Sequence, residues 1–80
     1  MKFIVFETIN MANGKVYIGI HKTNDPEVFD GYIGDGIDIN LPETYNKSKT
    51  QLQSAVQRYG IKFFKRITLR VFDNISDATD

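Results

Sequence analysis

Residues 13–23 read NGKVYIGIHKT, a turn signal placed directly before a short aromatic strand that ends in glycine and the chain's one histidine. Asn13 and Gly14 accept positive φ, and VYIG resumes an extended pattern, so the stretch is the second half of a β-hairpin. Upstream, KFIVFETI is rich in Phe, Ile and Val on both alternations and reads as the first strand, apolar on both faces over most of its length. Both of its faces are expected to be covered. The hairpin loop, NMANG, spans about five residues, a length within the usual hairpin range. Two readings of the second strand follow: a packed hairpin, or a surface that presents the Tyr17 hydroxyl, a bare Gly19 and the His21 imidazole.

Eighty residues make one domain at most, near the lower limit of independent stability, so each core residue matters. An apolar fraction of 41% and a charged fraction of 25% suit a compact globular domain and argue against a disordered tail. With no cysteine there is no disulfide and no thiolate zinc site, and one histidine cannot build a histidine-rich metal cage. A reducing, intracellular setting is expected. The apolar run FIVF is too short for a signal-peptide core or a membrane span.

A net charge of zero hides an uneven distribution. Residues 23–43 carry Asp25, Glu27, Asp30, Asp35, Asp38 and Glu43 without a lysine or arginine. Residues 44–72 carry Lys47, Lys49, Arg58, Lys62, Lys65, Arg66 and Arg70 without an acid. A basic, aromatic-containing segment suits a phosphate-backbone surface, because neutralising phosphates releases condensed counterions. Equally, the basic half could pair with the acidic loop inside the fold.

From Thr23 to Thr44 the chain turns to Gly, Asp, Asn and Pro with scattered apolar residues. So long an excursion in a small domain is expected to pack across the sheet or its edge. Next, SKTQLQSAVQRYG reads as a helix capped by Ser48 or Thr50, with Leu52, Ala55, Val56 and Tyr59 on one stripe and Gly60 as its stop. FFKRITLRVF is then a third strand, with Ile67, Leu69 and Val71 on one face and Arg66, Thr68 and Arg70 on the other. The closing DNISDATD reads as a helix entry with Ser76 as N-cap.

Taken together, a tripeptide at the end of the first strand, ten intervening residues and then Tyr17-Ile18-Gly19 match the spacing of the GIY-YIG nuclease superfamily. The runs YIGIHKT, FDGYIG and RYGIKFFKR extend the match, and the chain resembles the phage-type, homing-endonuclease-like members over almost its whole length. The resemblance implies an α+β fold, a small three-stranded antiparallel sheet flanked by helices, as one domain over 1–80. It also implies divalent-metal-dependent hydrolysis of DNA phosphodiesters, with Mg²⁺ as the metal, in the cytoplasm of a bacterial or phage-infected cell. Target choice in such proteins comes from an appended DNA-recognition domain in a longer chain.

Residue by residue, IVF stands where the family has its first tripeptide, so Phe6 keeps the ring and loses the hydroxyl. Tyr17 becomes the candidate hydroxyl beside the attacking water, as a base or as part of the network that positions it. Gly19 lets the substrate or a backbone approach closely. His21 orients the water or contacts the scissile phosphate. An arginine on the first helix offsets charge on the phosphate, and Arg58 is the candidate. Lys22, Lys62, Lys65 and Arg66 are candidate DNA contacts. The family's metal-binding glutamate has no counterpart, since no Glu follows Glu43; Asp77 and Asp80 are the nearby carboxylates, and the fragment is expected to lack the helix that carries the glutamate. A non-catalytic nucleic-acid-binding or protein-interaction module on the same fold is the alternative function, and a purely structural domain the third.

Overall fold

A computed structural model describes residues 1–74. The helix entry expected around Ser76, with Asp77 and Asp80, lies outside these residues. Strands β1 (Lys2–Asn10) and β2 (Val16–Thr23) form the expected antiparallel hairpin, with Lys2 opposite Thr23 and Ile9 opposite Val16. Asn10 shapes the loop between them: its backbone carbonyl accepts from the amides of Asn13 and Gly14, and its side-chain oxygen accepts from Ala12 N.

The excursion folds into a second, two-stranded hairpin of β3 (Tyr32–Gly34) and β4 (Ile37–Asp38). Asp35 and Gly36 make its turn with φ of 51° and 76°, a left-handed pair that Asp and Gly tolerate. Helix α1 (Gln51–Tyr59) follows. Of the two candidate caps it is Thr50 that accepts from Gln53 N, and Gly60 ends the helix at φ 98°. Leu52 and Val56 of its stripe are buried against Ile33, Ile37 and Phe64, with Ala55 and Tyr59 packed alongside. The glycine-rich excursion thus supplies two of the five residues of this core cluster, which is why it holds its shape without disulfides.

Strand β5 (Phe64–Phe72) pairs with β1 rather than β2, giving the order β2-β1-β5. The α+β sheet expected from the sequence is therefore present, with the doubly apolar strand at its centre. Cross-strand partners in an antiparallel sheet share a face. One face carries Ile4, Phe6, Thr8 and Asn10 of β1, all buried, with Tyr17, Gly19 and His21 of β2 and Arg66 of β5 opposite them or nearby. The β3–β4 hairpin and α1 pack on this side, and Thr8 Oγ1 donates to Ile33 O at 2.6 Å.

Two expectations need correction. Leu69 is an extra residue, because Val5 pairs with Arg70 and Phe6 with Thr68; this bulge puts Ile67 and Val71 on opposite faces instead of one. Arg66 and Arg70 are separated in the same way. Nor are both faces of the sheet covered among the described residues: Val16, Ile18, Ile20 and Ile67 are exposed on the second face, Ile18 to 64%. The sheet is buried on the side where the hairpin and helix lie and open on the other.

Candidate nucleic-acid interface

Strand alternation delivers Tyr17, Gly19 and His21 to the covered face in successive steps. The Cα atoms of Tyr17 and His21 are about 13 Å apart at the usual rise per residue, so the two rings meet a ligand at separate points. Between them Gly19 sits under the Phe6 ring: a Cβ there would fall 2.6 Å from Phe6 Cζ and 2.9 Å from Cε2. The buried aromatic side chain of the neighbouring strand by itself requires a glycine here.

Tyr17 borders a groove of about 550 Å³ between the first hairpin and α1. Lys15, Lys49 and Arg58 line it with Tyr59, Asn13 and the hydroxyl residues Ser48, Thr50 and Ser54, and among the described residues no carboxylate does. Arg58 is in the last turn of α1, where its charge also complements the helix dipole. Lys15 Nζ lies 5.6 Å from the centre of the Tyr17 ring, and the Arg58 guanidinium 5.6 Å from that of Tyr59. Partial burial pushes the Tyr17 phenol above its ordinary pKa, and Tyr59 and Asp35 push it the same way. The hydroxyl therefore keeps its proton at neutral pH and acts as a donor in the free protein.

On the other side of Tyr17 a 300 Å³ cavity is lined by Phe6, Gly19, Tyr32, Gly34 and Asp35. Tyr32 separates it from His21, whose ring stacks on the phenol at 4.2 Å with 17° between planes. His21 Nε2 is 2.7 Å from Asp30 Oδ2. The other carboxylate oxygen, Oδ1, accepts from Arg66 Nη1 at 3.1 Å and from Tyr32 N at 3.2 Å, and Arg66 Nη1 also donates to Tyr32 O at 2.9 Å. Burial of Asp30 would raise its carboxyl pKa, but the His21 and Tyr32 hydrogen bonds and the charges of His21 and Arg66 outweigh it, leaving the group below the usual carboxylate range.

The candidate DNA contacts do not form one surface. Lys22 is opposite Phe3 and Lys65 opposite Ile9, which places both on the exposed face, away from Tyr17. Arg66 faces the right way but its side chain is only 3% exposed, held by Asp30 and Tyr32 and covered by Phe29, 4.7 Å from its guanidinium. It is a structural cation, and the pairing of basic half with acidic loop raised from the sequence is realised here. Lys62 lies over the Phe63 ring at 5.3 Å, beyond the end of α1. What sequence reasoning missed are Lys15 and Lys49 in the groove and Asp30 and Tyr32 around His21. The turn position of Lys15 beside Tyr17 was the available signal; the Asp30 pairing, across 36 residues to Arg66, left none.

Among the described residues no group of three or more His, Asp or Glu side chains could hold a metal ion, and Asp35 is the carboxylate lining the Tyr17 cavities. A divalent ion needs more oxygens than this one residue supplies. The described side chains alone do not fit such an ion. No helix among the described residues is long and apolar enough to cross a membrane.

The α+β sheet and its basic groove can be set beside known proteins. No family model matches the chain, and no solved structure matches it. Among curated proteins it is similar to "Putative endonuclease segD" of Enterobacteria phage T4, 34% identical over 74 residues that cover 92% of this chain and 26% of the relative. It is likewise similar to "Putative endonuclease segE" of the same phage, 36% identical over 78 residues, 98% of this chain and 31% of the relative. "Putative endonuclease segB" of that phage is 31% identical over 74 residues, 92% of this chain and 27% of the relative. The chain is thus related to phage proteins named as endonucleases, and it spans about a quarter to a third of the length of these relatives.

Proposed function

We propose that the chain is a DNA endonuclease domain of the GIY-YIG type, 1–80 forming a single nuclease-like unit that hydrolyses phosphodiester bonds. The observation that carries this reading is the groove beside Tyr17, where Lys15, Lys49 and Arg58 converge with hydroxyl groups and, among the described residues, no carboxylate lines it. Such a lining attracts a phosphate backbone and repels none of its charge. The names of the relatives support DNA as the polyanion.

Within the groove Arg58 presents a planar set of donors to the phosphate and offsets charge that grows on its oxygens as water attacks. Tyr17, whose phenol is protonated at neutral pH and held further from ionisation by partial burial, donates to a phosphate oxygen or to the water and fixes its position. His21, about 13 Å farther along β2, contacts the substrate at a separate point and orients water there. Mg²⁺ dependence belongs to this reading through the family resemblance, and the ion would supply Lewis-acid stabilisation of the phosphate. Because the described residues do not hold the ion by themselves, these three side chains bind, orient and donate irrespective of it.

The 80 residues alone are not expected to cut, because the described side chains do not fit the metal ion; incubating a longer polypeptide that carries this domain with supercoiled plasmid and Mg²⁺ tests the reading. Nicking is expected, and Tyr17→Phe and Arg58→Ala are each expected to slow it by at least about tenfold, the range for a lost donor or charge-stabilising group. Phe6 favours a second reading, a binding module without chemistry: its ring is 1% exposed and offers no hydroxyl where the resembled family has one. Intact plasmid, together with binding that weakens steeply as salt rises, would establish that second reading instead.

A further inference from the structure

The His21 side chain is fixed from two directions, by the Tyr32 ring stacked at 4.2 Å and by Asp30 Oδ2 at 2.7 Å from Nε2. Asp30 is itself oriented. Its Oδ1 is held by two donors, Arg66 Nη1 at 3.1 Å and Tyr32 N at 3.2 Å, which fix the plane of the carboxylate and leave its second oxygen facing His21. Arg66 cannot swing away, because its side chain is 3% exposed and Tyr32 O also accepts from it at 2.9 Å. The result is a fixed carboxylate that offers acceptor lone pairs to one particular nitrogen of one imidazole.

A carboxylate accepts and does not donate, so in the neutral ring Nε2 must carry the hydrogen. We propose that Asp30, pinned by Arg66 and the Tyr32 amide, is a positioning residue that sets the tautomer of His21, placing the hydrogen on Nε2 and making Nδ1 the proton-accepting nitrogen. This deepens the nuclease reading, on which it rests only for its consequence for cutting. Asp30 acts through His21 and does not itself touch substrate. A second partner that fixes which ring nitrogen is basic is a general requirement of histidine acid-base sites.

The pinning makes the isosteric replacement informative. In Asp30→Asn the donors from Arg66 and Tyr32 still demand an oxygen at the Oδ1 position, so the amide NH₂ must face His21. Nε2 then becomes an acceptor and the hydrogen moves to Nδ1. Histidine ¹⁵N NMR of the chain, at a pH where the ring is neutral, reads this directly. The wild type and Asp30→Glu are expected to show Nε2–H, and Asp30→Asn to show Nδ1–H with the rest of the spectrum preserved. An Nδ1–H signal in the wild type, or an unchanged tautomer in a folded Asp30→Asn chain, overturns the proposal. If Asp30→Asn does not fold, Asp30→Ala decides the matter: Nε2–H in the wild type that gives way to a mixture of tautomers in Asp30→Ala upholds the proposal, and Nδ1–H in the wild type, or an unchanged tautomer population in Asp30→Ala, overturns it.

The plasmid assay on the longer polypeptide provides a second readout. Asp30→Asn is expected to nick at least about tenfold more slowly, with Asp30→Glu retaining most of the rate. Undiminished nicking by Asp30→Asn with the tautomer switched overturns the claim that Nδ1 does the work. A longer polypeptide that never cuts DNA but switches tautomer removes the nuclease reading and leaves the positioning by Asp30 standing.

Discussion

Arg66→Ala is expected to lower the free energy of unfolding by about 3 kcal/mol, at the lower edge of what removing one partner of a buried ion pair costs. The lower edge applies because Asp30 keeps 37% exposure and can be rehydrated when the guanidinium is gone, whereas Arg66 is nearly enclosed. Added to the lost pair are the hydrogen bond to Tyr32 O and the cation–π contacts with Phe29 at 4.7 Å and Phe6 at 5.8 Å. Arg66→Lys should recover only part of this loss, since one ammonium on a flexible stem cannot reproduce the flat fork that lies over the rings. The adjacent Lys65→Ala is the control: exposed and on the opposite face, it should change stability by less than about 0.5 kcal/mol. Urea unfolding of the variants measures the difference. Equal effects of Arg66→Ala and Lys65→Ala would mean that the arginine is not part of the fold.

Gly19→Ala should cost about 2 to 3 kcal/mol, the range for inserting a carbon into a packed core. The sign is the telling part. In an ordinary strand, alanine is favoured over glycine by roughly 0.5 to 1 kcal/mol, because glycine loses more freedom on folding. Here the new Cβ meets Phe6 Cζ at 2.6 Å, and that ring is 1% exposed and flanked by Tyr32 and the Arg66 guanidinium. Trimming the obstacle should restore part of the loss, so Gly19→Ala is expected to be less harmful in a Phe6→Leu background than alone. Thermal or urea melts of the four chains form the cycle. A neutral Gly19→Ala would show that the ring is free to move.

Much of this architecture is legible in the amino-acid order. The Asn13-Gly14 turn, the Thr50 cap and Gly60 stop of α1, and the β-rich FFKRITLRVF all appear as structure where their local chemistry points. The apolar character of β1 on both alternations pointed to two covered faces, whereas the strand lies centrally between β2 and β5 in a sheet open on one side among the described residues. Charge was less legible, because a run of basic residues along the chain carries no information about faces. Lys65 and Arg66 are neighbours in sequence, and the period of two sends one to the exposed side and the other under Phe29. The bulge at Leu69 then breaks the alternation that would have put Ile67 and Val71 together.

The groove illustrates the same point from the other side. Lys15 stands at a turn, Lys49 just before a helix and Arg58 in that helix's last turn, three positions brought to one place by packing of α1 on the hairpin. Motif resemblance singled out Tyr17, and the structure surrounds it with cations that the motif does not contain. Asp30 lay within an acidic stretch expected to pack across the sheet or to pair with the basic half, but which acid meets which base was not legible, and its partner is a strand residue 36 positions away. Pairings of that kind come from tertiary contact and have no local signature.

The central claim is that DNA lies on the Tyr17 side of the sheet, in the groove, and not on the exposed apolar face. Affinity for a short duplex at low salt, compared between Lys15→Glu/Lys49→Glu and Lys22→Glu/Lys65→Glu, tests it most directly. Both pairs change the net charge equally, so the general attraction of the molecule falls by the same amount in each. The groove pair is expected to weaken binding by about tenfold more than the pair on the far face, and to flatten its salt dependence, because it removes phosphate contacts. Equal losses, or a larger loss from Lys22 and Lys65, would contradict the account.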